Sequence, residues 1–101
     1  MNTKILTVVL PKVSVIMPIY NTALYLCEAL DSICNQTLQE LEIILINDGS
    51  TDQSQNIIEK YAACDPRIQW HIQPNQGQGV ARNHGLQHAT GEYIYFMDSD
   101  D

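Results

Sequence analysis

Strand-like and helix-like segments alternate strictly along this 101-residue chain, and that alternation restricts the fold more than any other feature. The strand-like runs, rich in β-branched and aromatic residues, are residues 13–17, 41–46, 67–72 and 93–97. Between them, apolar residues recur at three and four positions, the period of an amphipathic helix. Strands joined through helices pair in parallel. The sequence therefore predicts an α/β fold with a Rossmann-like parallel sheet and helices on both faces.

Composition is that of one globular domain or part of one, and it excludes some partners. Hydrophobic residues make up 45% and charged residues 17% of the chain, which argues against disorder. The net charge is −7, and five Lys and Arg are too few to neutralise nucleic-acid phosphates. Residues 5–10 are too short an apolar run to cross a membrane. We expect an N-terminal extension at residues 1–11, a domain at 12–101, no nucleic acid partner and no membrane segment.

Local signals place the ends of several elements. Pro18 is expected to end the first strand, and Asn21 or Thr22 to cap the first helix. Ser50 with Gln53 predicts a capping box for the second helix. That helix closes at residues 65–66, and the third helix runs from a glycine-containing loop at 74–79 to about residue 88.

Three cysteines indicate the redox compartment. Cys27, Cys34 and Cys64 form no CxxC pair, and one stays unpaired in any disulfide scheme. The predicted apolar face of the first helix comprises Ala23, Leu26, Cys27, Leu30, Ile33 and Cys34. Buried thiols on that face indicate a reducing compartment. We expect a cytoplasmic location, with peripheral membrane association left open.

Three polar clusters follow strands that should end at one rim of the sheet. A Rossmann-like half has the strand order 3-2-1-4, which places the ends of strands 1 and 4 side by side. Residues 17–21 follow strand 1, residues 47–49 follow strand 2, and residues 98–100 follow strand 4. Open α/β sheets bind ligands at this crevice. The sequence therefore predicts a binding site at the carboxyl ends of the strands.

An acidic cluster ends the fourth strand, which we expect to be buried. Asp98, Asp100 and Asp101 lie within four positions, and carboxylates this close repel one another without a cation. Oxygen ligands without Cys or His favour Mg²⁺ or Mn²⁺. A solvated acidic turn is the alternative.

Two other interpretations are less favoured. His84 and His88 have the spacing of a zinc pair, but residue 85 is Gly and the sequence shows no third ligand. We therefore expect these histidines to be solvated or partly packed. A phosphoacceptor receiver domain also carries aspartates at the rim of an α/β sheet. It needs an acidic pair after strand 1, where this chain has residues 18–21, and a lysine after a fifth strand.

Four motifs together resemble family 2 glycosyltransferases of the GT-A fold. They are residues 13–21, 47–52, 79–85 and 91–101, and the likeness covers nearly the whole chain from Lys12 onward. The resemblance implies a nucleotide-diphosphate sugar donor, usually a UDP-sugar, and a divalent metal, Mn²⁺ or Mg²⁺. It also implies inverting transfer to a hydroxyl of a saccharide or lipid-linked acceptor, as in polysaccharide biosynthesis. Asn47 departs from the pattern, because the family usually has Asp there.

The expected contacts to the nucleotide sugar follow from residue chemistry and from the resemblance. Ionised Asp48 only accepts hydrogen bonds, so it can take the N3–H of uracil, which cytosine lacks. Tyr20 offers a ring on which a base can stack, and Pro18 leaves its carbonyl free. The full predicted set is Pro18, Tyr20, Asn21, Asp48, Arg82, Asp98 and Ser99.

The resemblance also assigns the charged groups. Arg82, placed early in a helix where a cation is unfavourable, contacts the nucleotide. Asp100 is the metal ligand that bridges the ion to both phosphates, and Asp98 reaches the ribose hydroxyls or joins Asp100 at the metal. Asp101 orients the sugar or supports the metal ligands.

The chain ends at this acidic motif, whereas family members continue into an acceptor-binding half that supplies the catalytic base. We therefore expect a fold truncated after the fourth strand, with the base beyond residue 101. The alternative function is a nucleotide-sugar-binding fragment without turnover. An uncovered strand at residues 93–96 would also favour self-association.

Overall fold

The computed structural model describes residues 11–100, which form a four-stranded parallel sheet with three helices. The elements are β1 (Val13–Ile19), α1 (Ala23–Cys34), β2 (Leu41–Asn47), α2 (Ser54–Cys64), β3 (Ile68–Ile72), α3 (Gln78–His88) and β4 (Tyr93–Phe96). The strand order is β3-β2-β1-β4 with every pair parallel, which confirms the predicted order. Residues 1–10 of the predicted N-terminal extension, and Asp101, lie outside the described residues. No helix within 11–100 has both the length and the apolar character needed to cross a bilayer.

Helices cover both faces of the sheet, as predicted. On one face, alternate β1 residues Val15, Met17 and Ile19 pack against α1 and α2. On the other face, Ile16 and its β2 neighbours pack against α3. The larger core cluster also contains Leu26, Ala29, Leu30, Ile33, Leu41, Ile43, Leu45, Ile58 and Ile68. The two-residue period of a strand thus sends successive β1 side chains into two different cores.

Close packing of α3 on the sheet depends on Gly85. A Cβ at this position would lie 2.5 Å from the Cγ2 atom of Ile16. Glycine weakens a helix interior, but here it lets the helix backbone approach β1 more closely than any other residue would. That approach sets the height of α3 above the sheet.

Pro18 lies inside β1 rather than ending it, so the predicted boundary is wrong. It pairs with Ile46 of β2. The carbonyl of Ile16 accepts the Met97 amide on the β4 side, so the Pro18 nitrogen and carbonyl face that side too. The β4 ladder stops at Phe96, opposite Ile16, so the missing N–H of Pro18 costs no ladder hydrogen bond.

One carboxylate supports the start of two helices, in place of the caps expected from the sequence. Asp52 accepts hydrogen bonds from the amides of Ala23 (3.1 Å) and Ser54 (2.9 Å). Thr22 occupies the N-cap position of α1 but gives no side-chain cap, and Ser50 begins no capping box because α2 starts four residues later. Desolvation raises the pKa of Asp52, but the hydrogen bonds outweigh it and hold that pKa below its ordinary value.

The prediction of a buried Cys27 is wrong. The buried stripe of α1 is Leu26, Ala29, Leu30 and Ile33, and Cys27 is exposed because each helical residue turns about 100° from the last. Cys34 is half-buried, and Cys64 is exposed. Burial, and then the neighbouring charge of Asp65, raise the pKa of the Cys34 thiol to about 11.

The prediction of a buried β4 is also wrong. Its four side chains are 40–61% exposed. In the described part of the chain β4 is an edge strand, paired with β1 alone and left uncovered by the helices. Self-association through this apolar edge stays a prediction.

Arg67 joins the start of β3 to the loop that follows α1. Its guanidinium donates to the backbone carbonyls of Cys34, Gln36 and Leu38 at 2.8–3.0 Å. It also forms a two-pronged ion pair with Asp65, with distances of 3.0 and 2.8 Å. The first cause of a lowered Asp65 pKa is this hydrogen bonding to Arg67. Four separate chain positions therefore depend on the planar fork of one side chain.

We expect Arg67→Lys to destabilise the fold although it keeps the charge. Lysine cannot reproduce the fork, so several charge-assisted hydrogen bonds are lost, at a cost of about 2–3 kcal/mol. Urea unfolding measures the change. The same replacement at Arg82, whose ion pair is 3.8 Å long and partly exposed, is the matched control and should change the unfolding free energy little. Equal effects at both positions would contradict this role for Arg67.

Candidate functional site

A cleft opens where β1 and β2 end and the chain leaves β4. It encloses about 230 Å³. Its lining residues are Pro18, Ile19, Tyr20, Thr22, Asp48, Asn75, Gly77, Gln78, Ser99 and Asp100. The structure thus brings together five of the predicted site residues, Pro18, Tyr20, Asp48, Ser99 and Asp100.

The end of β1 forms one wall of the cleft. Pro18 is in the strand, and its carbonyl faces the side on which the β4 ladder has already stopped. Tyr20 follows the strand and is 48% exposed, so part of its ring is open to a ligand. An aromatic face at a cleft wall can stack against another flat group.

Asp48 is the best-buried charged group of the cleft, with 3% of its surface exposed. Its Oδ1 atom accepts hydrogen bonds from the Gln73 side chain (2.9 Å) and the Gln76 amide (2.8 Å). Its Oδ2 atom accepts from the Gly77 amide (3.0 Å) and from Asn75 Nδ2 (3.3 Å). A carboxylate has about four acceptor positions, so the loop before α3 occupies all of them.

Gly49 lets this loop come close to the end of β2. Its φ angle is +75°, a left-handed conformation that other residues rarely adopt. A Cβ there would lie 2.7 Å from the backbone nitrogen of Asn75. Both conditions exclude a side chain, so the turn at residues 47–49 and the loop at 73–77 form one packed unit.

The segment after β4 carries one buried polar side chain and one exposed carboxylate that lines the cleft. Ser99 is buried and accepts a 2.9 Å hydrogen bond from the Thr22 hydroxyl, which fixes the segment to the start of α1. Asp100 is exposed and lines the cleft. Asp98 instead lies 3.8 Å from Arg82 and does not line the cleft.

Arg82 lies on α3 beside β4. Its guanidinium carbon is 5.7 Å from the centre of the Phe96 ring, a cation–π distance. Its Nε–H is buried and has no hydrogen-bond partner among the described residues. A buried donor without an acceptor is costly, whereas the rest of the side chain is partly exposed and open to an anionic ligand.

Asn21 has a structural role in this conformation. Its φ angle is +51°, and its side-chain oxygen accepts a 2.7 Å hydrogen bond from the Thr51 amide. It does not line the cleft. Conversely, Thr22, Asn75, Gly77 and Gln78 line the cleft and were not singled out from the sequence, where the one signal was a glycine-containing loop ahead of a helix.

The oxygen chemistry of the cleft suits a hard divalent ion. Asp100 is a free carboxylate within it, while Asp98 is paired with Arg82 and Asp101 lies outside the described residues. Mg²⁺ is commonly held by one or two carboxylates together with substrate phosphates, so a single exposed Asp fits such an ion when a diphosphate completes its ligands.

Comparisons with known proteins agree on one family. The family model described as glycosyl transferase family 2 matches residues 14–101. Glycosyltransferase GlyA of Streptococcus pneumoniae is 47% identical over 90 residues, which cover 89% of this chain and 13% of GlyA.

Two solved structures share the fold. A structure of Staphylococcus aureus TarS 1-349 with UDP-GlcNAc matches with a TM-score of 0.83 and 39% identity, over 88% of this chain and 26% of that TarS chain. A mannosyltransferase of Pyrobaculum calidifontis, in complex with GDP-Man and Mn²⁺, matches with a TM-score of 0.82 and 32% identity. That match covers 90% of this chain and 28% of the mannosyltransferase, so the chain spans less than a third of each of these three relatives.

We expect Asp48→Asn to loosen the loop at residues 73–77. The substitution turns one acceptor oxygen into an NH₂ donor that must face donors, so the free energy of unfolding should fall by about 1–3 kcal/mol. Amide hydrogen exchange at Gln76 and Gly77 should accelerate. Asp98→Asn, which changes a partly exposed carboxylate, is the matched control. Unchanged exchange at both amides would show that Asp48 does not hold the loop.

Proposed function

This chain belongs to glycosyl transferase family 2, and we propose that residues 12–101 form the nucleotide-sugar-binding part of an enzyme that transfers a sugar from a UDP-sugar to an acceptor hydroxyl with inversion. The observation that carries the proposal is the cleft itself. It has a buried acceptor, Asp48, at one side and an exposed carboxylate, Asp100, at the other. A base with a polar edge and a diphosphate with its metal need different surroundings, and the two sides of the cleft differ in that way.

Recognition of the base falls to Asp48 and Tyr20. For Asp48 to accept the uracil N3–H, one of its four present donors must withdraw. The weakest is Asn75 Nδ2, which is 3.3 Å from the carboxylate and already donates to the Asp48 carbonyl at 3.1 Å. A small shift of Asn75 toward that carbonyl frees an acceptor position without orphaning the amide. Tyr20 then supplies the stacking face for the base.

We assign the contacts with the ribose and the diphosphate to the segment after β4 and to α3. Asp98 and Ser99 lie next to each other at the sheet rim and can receive the ribose hydroxyls. The Arg82 side chain is partly exposed, and its guanidinium can donate to a phosphate oxygen. Asp100, free within the cleft, is the residue that would hold Mn²⁺ or Mg²⁺ against both phosphates. When bound, the ion offsets the negative charge that develops on the departing diphosphate.

The proposed reaction exchanges one glycosidic bond for another. The bond between the anomeric carbon and the β-phosphate oxygen breaks, and UDP leaves with its electron pair. The acceptor oxygen of a saccharide or lipid-linked acceptor attacks the opposite face of the anomeric carbon, and its proton passes to a general base. In this proposal Asp48 binds the uracil ring and the loop at residues 73–77, and Asp100 would bind the metal. We therefore assign the role of general base to neither residue.

We expect Asp100→Asn to abolish the Mn²⁺ dependence of UDP binding without unfolding the chain. The neutral amide is a poor partner for a divalent cation, and without the cation the diphosphate meets an acidic rim. Calorimetric titration with UDP, with Mn²⁺ or with EDTA, measures the effect. UMP, which lacks the second phosphate, is the ligand control and should be insensitive to the substitution. Equal UDP affinity of the unsubstituted chain in Mn²⁺ and in EDTA would disprove the metal role.

We expect Asp48→Ala to lower the preference for UDP over CDP by about tenfold or more, because a hydrogen bond to a charged group contributes about 1.5–3 kcal/mol. A disordered loop would weaken the binding of UDP and of CDP alike. The ratio of the two affinities therefore reports on recognition of the nucleobase alone. Asn75→Ala removes the donor that competes for Asp48 and should keep the ratio. An unchanged ratio in Asp48→Ala would refute the base assignment.

A further inference from the structure

All three histidines of the chain meet on one face of the sheet. His71 comes from β3, and His84 and His88 come from successive turns of α3. One potential ligand atom from each lies within 4.8 Å of the others. The third histidine that the sequence did not reveal is therefore His71, which the period of β3 places on the face opposite Ile68 and beneath α3.

From this geometry we propose that His71, His84 and His88 form a Zn²⁺ site, separate from the carboxylate side of the nucleotide cleft. Imidazole nitrogen suits Zn²⁺ far better than it suits Mg²⁺. Three protein ligands with an open fourth position is a recurring zinc arrangement. His84 and His88, four residues apart on a helix, share one face and can hold the same ion.

A carboxylate sets the tautomer of His84 through a glutamine. Asp48 only accepts hydrogen bonds, so the Gln73 amide nitrogen must face it, at 2.9 Å. The Gln73 carbonyl oxygen then faces His84 Nδ1 at 2.9 Å and can only accept. His84 therefore carries its proton on Nδ1, and the lone pair of Nε2 is free for a metal.

A second relay does the same for His71. Glu42 accepts a 3.5 Å hydrogen bond from the Gln69 amide nitrogen, which turns the Gln69 carbonyl toward His71 Nε2 at 3.0 Å. His71 therefore carries its proton on Nε2 and has a free lone pair on Nδ1. Metal-ligating histidines are commonly fixed in this way, with the other ring nitrogen donating to an oxygen.

One ring must reorient before the three histidines can bind the same ion. His71 and His88 stack at 3.8 Å between ring centres and 11° between planes. Nearly parallel stacked rings cannot both aim their in-plane lone pairs at one ion, so the stack must open when the metal binds. Tetrahedral Zn²⁺ needs its nitrogens about 3.4 Å apart, so ligand atoms that are now up to 4.8 Å apart must approach by as much as about 1.4 Å. The His88 side chain has no hydrogen bond within residues 11–100, so it is the ring that can leave the stack and turn toward the ion.

The test is a Zn²⁺ titration of the untagged, chelator-treated chain by calorimetry. We expect one ion per chain and a thermal unfolding midpoint that rises with Zn²⁺. His88→Ala should weaken binding by at least about tenfold, and Gln69→Leu by about tenfold because the His71 ring is no longer oriented. Gln87→Ala, an exposed neighbour on α3 that leaves the histidines intact, should bind like the parent chain.

Two measurements distinguish the histidine site from Zn²⁺ binding at cysteine and from a loss of folding. The exposed thiols Cys27 and Cys64 also attract Zn²⁺, so the double variant Cys27→Ser/Cys64→Ser should retain full affinity. Histidine ring NMR signals of the parent chain should shift on Zn²⁺ addition, which tests the site even if a variant fails to fold. No bound Zn²⁺, or affinity that survives His88→Ala but disappears in the cysteine variant, would overturn the proposal. Neither result depends on nucleotide binding.

Discussion

The buried carboxylate of Asp48 is the interaction on which the rest of the site depends. A carboxylate that is 3% exposed is tolerated only with its acceptor positions satisfied, and the loop at residues 73–77 satisfies them. In doing so the loop becomes the wall of the cleft, with Asn75 and Gly77 in its lining. The same carboxylate orients Gln73 and, through it, His84. The buried carboxylate at the end of β2 therefore positions both the cleft wall at residues 73–77 and the ring of His84.

The fold could be predicted from the sequence because it rests on local periods. Alternation of strand and helix, and the turns at residues 47–49 and 65–66, depend on neighbouring residues and predicted the order of the elements along the chain. The strand order came from the topology of a Rossmann-like half, and the sheet has that order. The convergence of three strand ends on one cleft follows from that topology. Pro18, Tyr20, Asp48, Ser99 and Asp100 accordingly line one cleft, whereas Asn21, Arg82 and Asp98 of the predicted set do not.

What the sequence did not predict depends on partners distant along the chain. Asp52 replaced the expected local caps because the fold brings it to the start of α1, 29 residues away. Asn21 was expected at the ligand, but its left-handed backbone turns its side chain to Thr51. The apolar run at residues 93–97 indicated a buried strand, whereas the expectation that the fold stops after the fourth strand agrees with the exposure of β4 in the described residues. The sequence did not indicate His71 as a third ligand, because only the packing of α3 on the sheet brings His84 and His88 near it.

Arg82 shows how the edge strand and the cleft are linked. Its guanidinium lies near Phe96 of β4 and within 3.8 Å of Asp98, yet its buried Nε–H has no acceptor within residues 11–100. The exposed ion pair with Asp98 contributes little by itself. The side chain of Arg82 is 38% exposed, so an anion can approach the solvent-facing side of its guanidinium and not the covered Nε–H. The contacts with Phe96 and Asp98 therefore link the edge strand to α3 and orient this guanidinium.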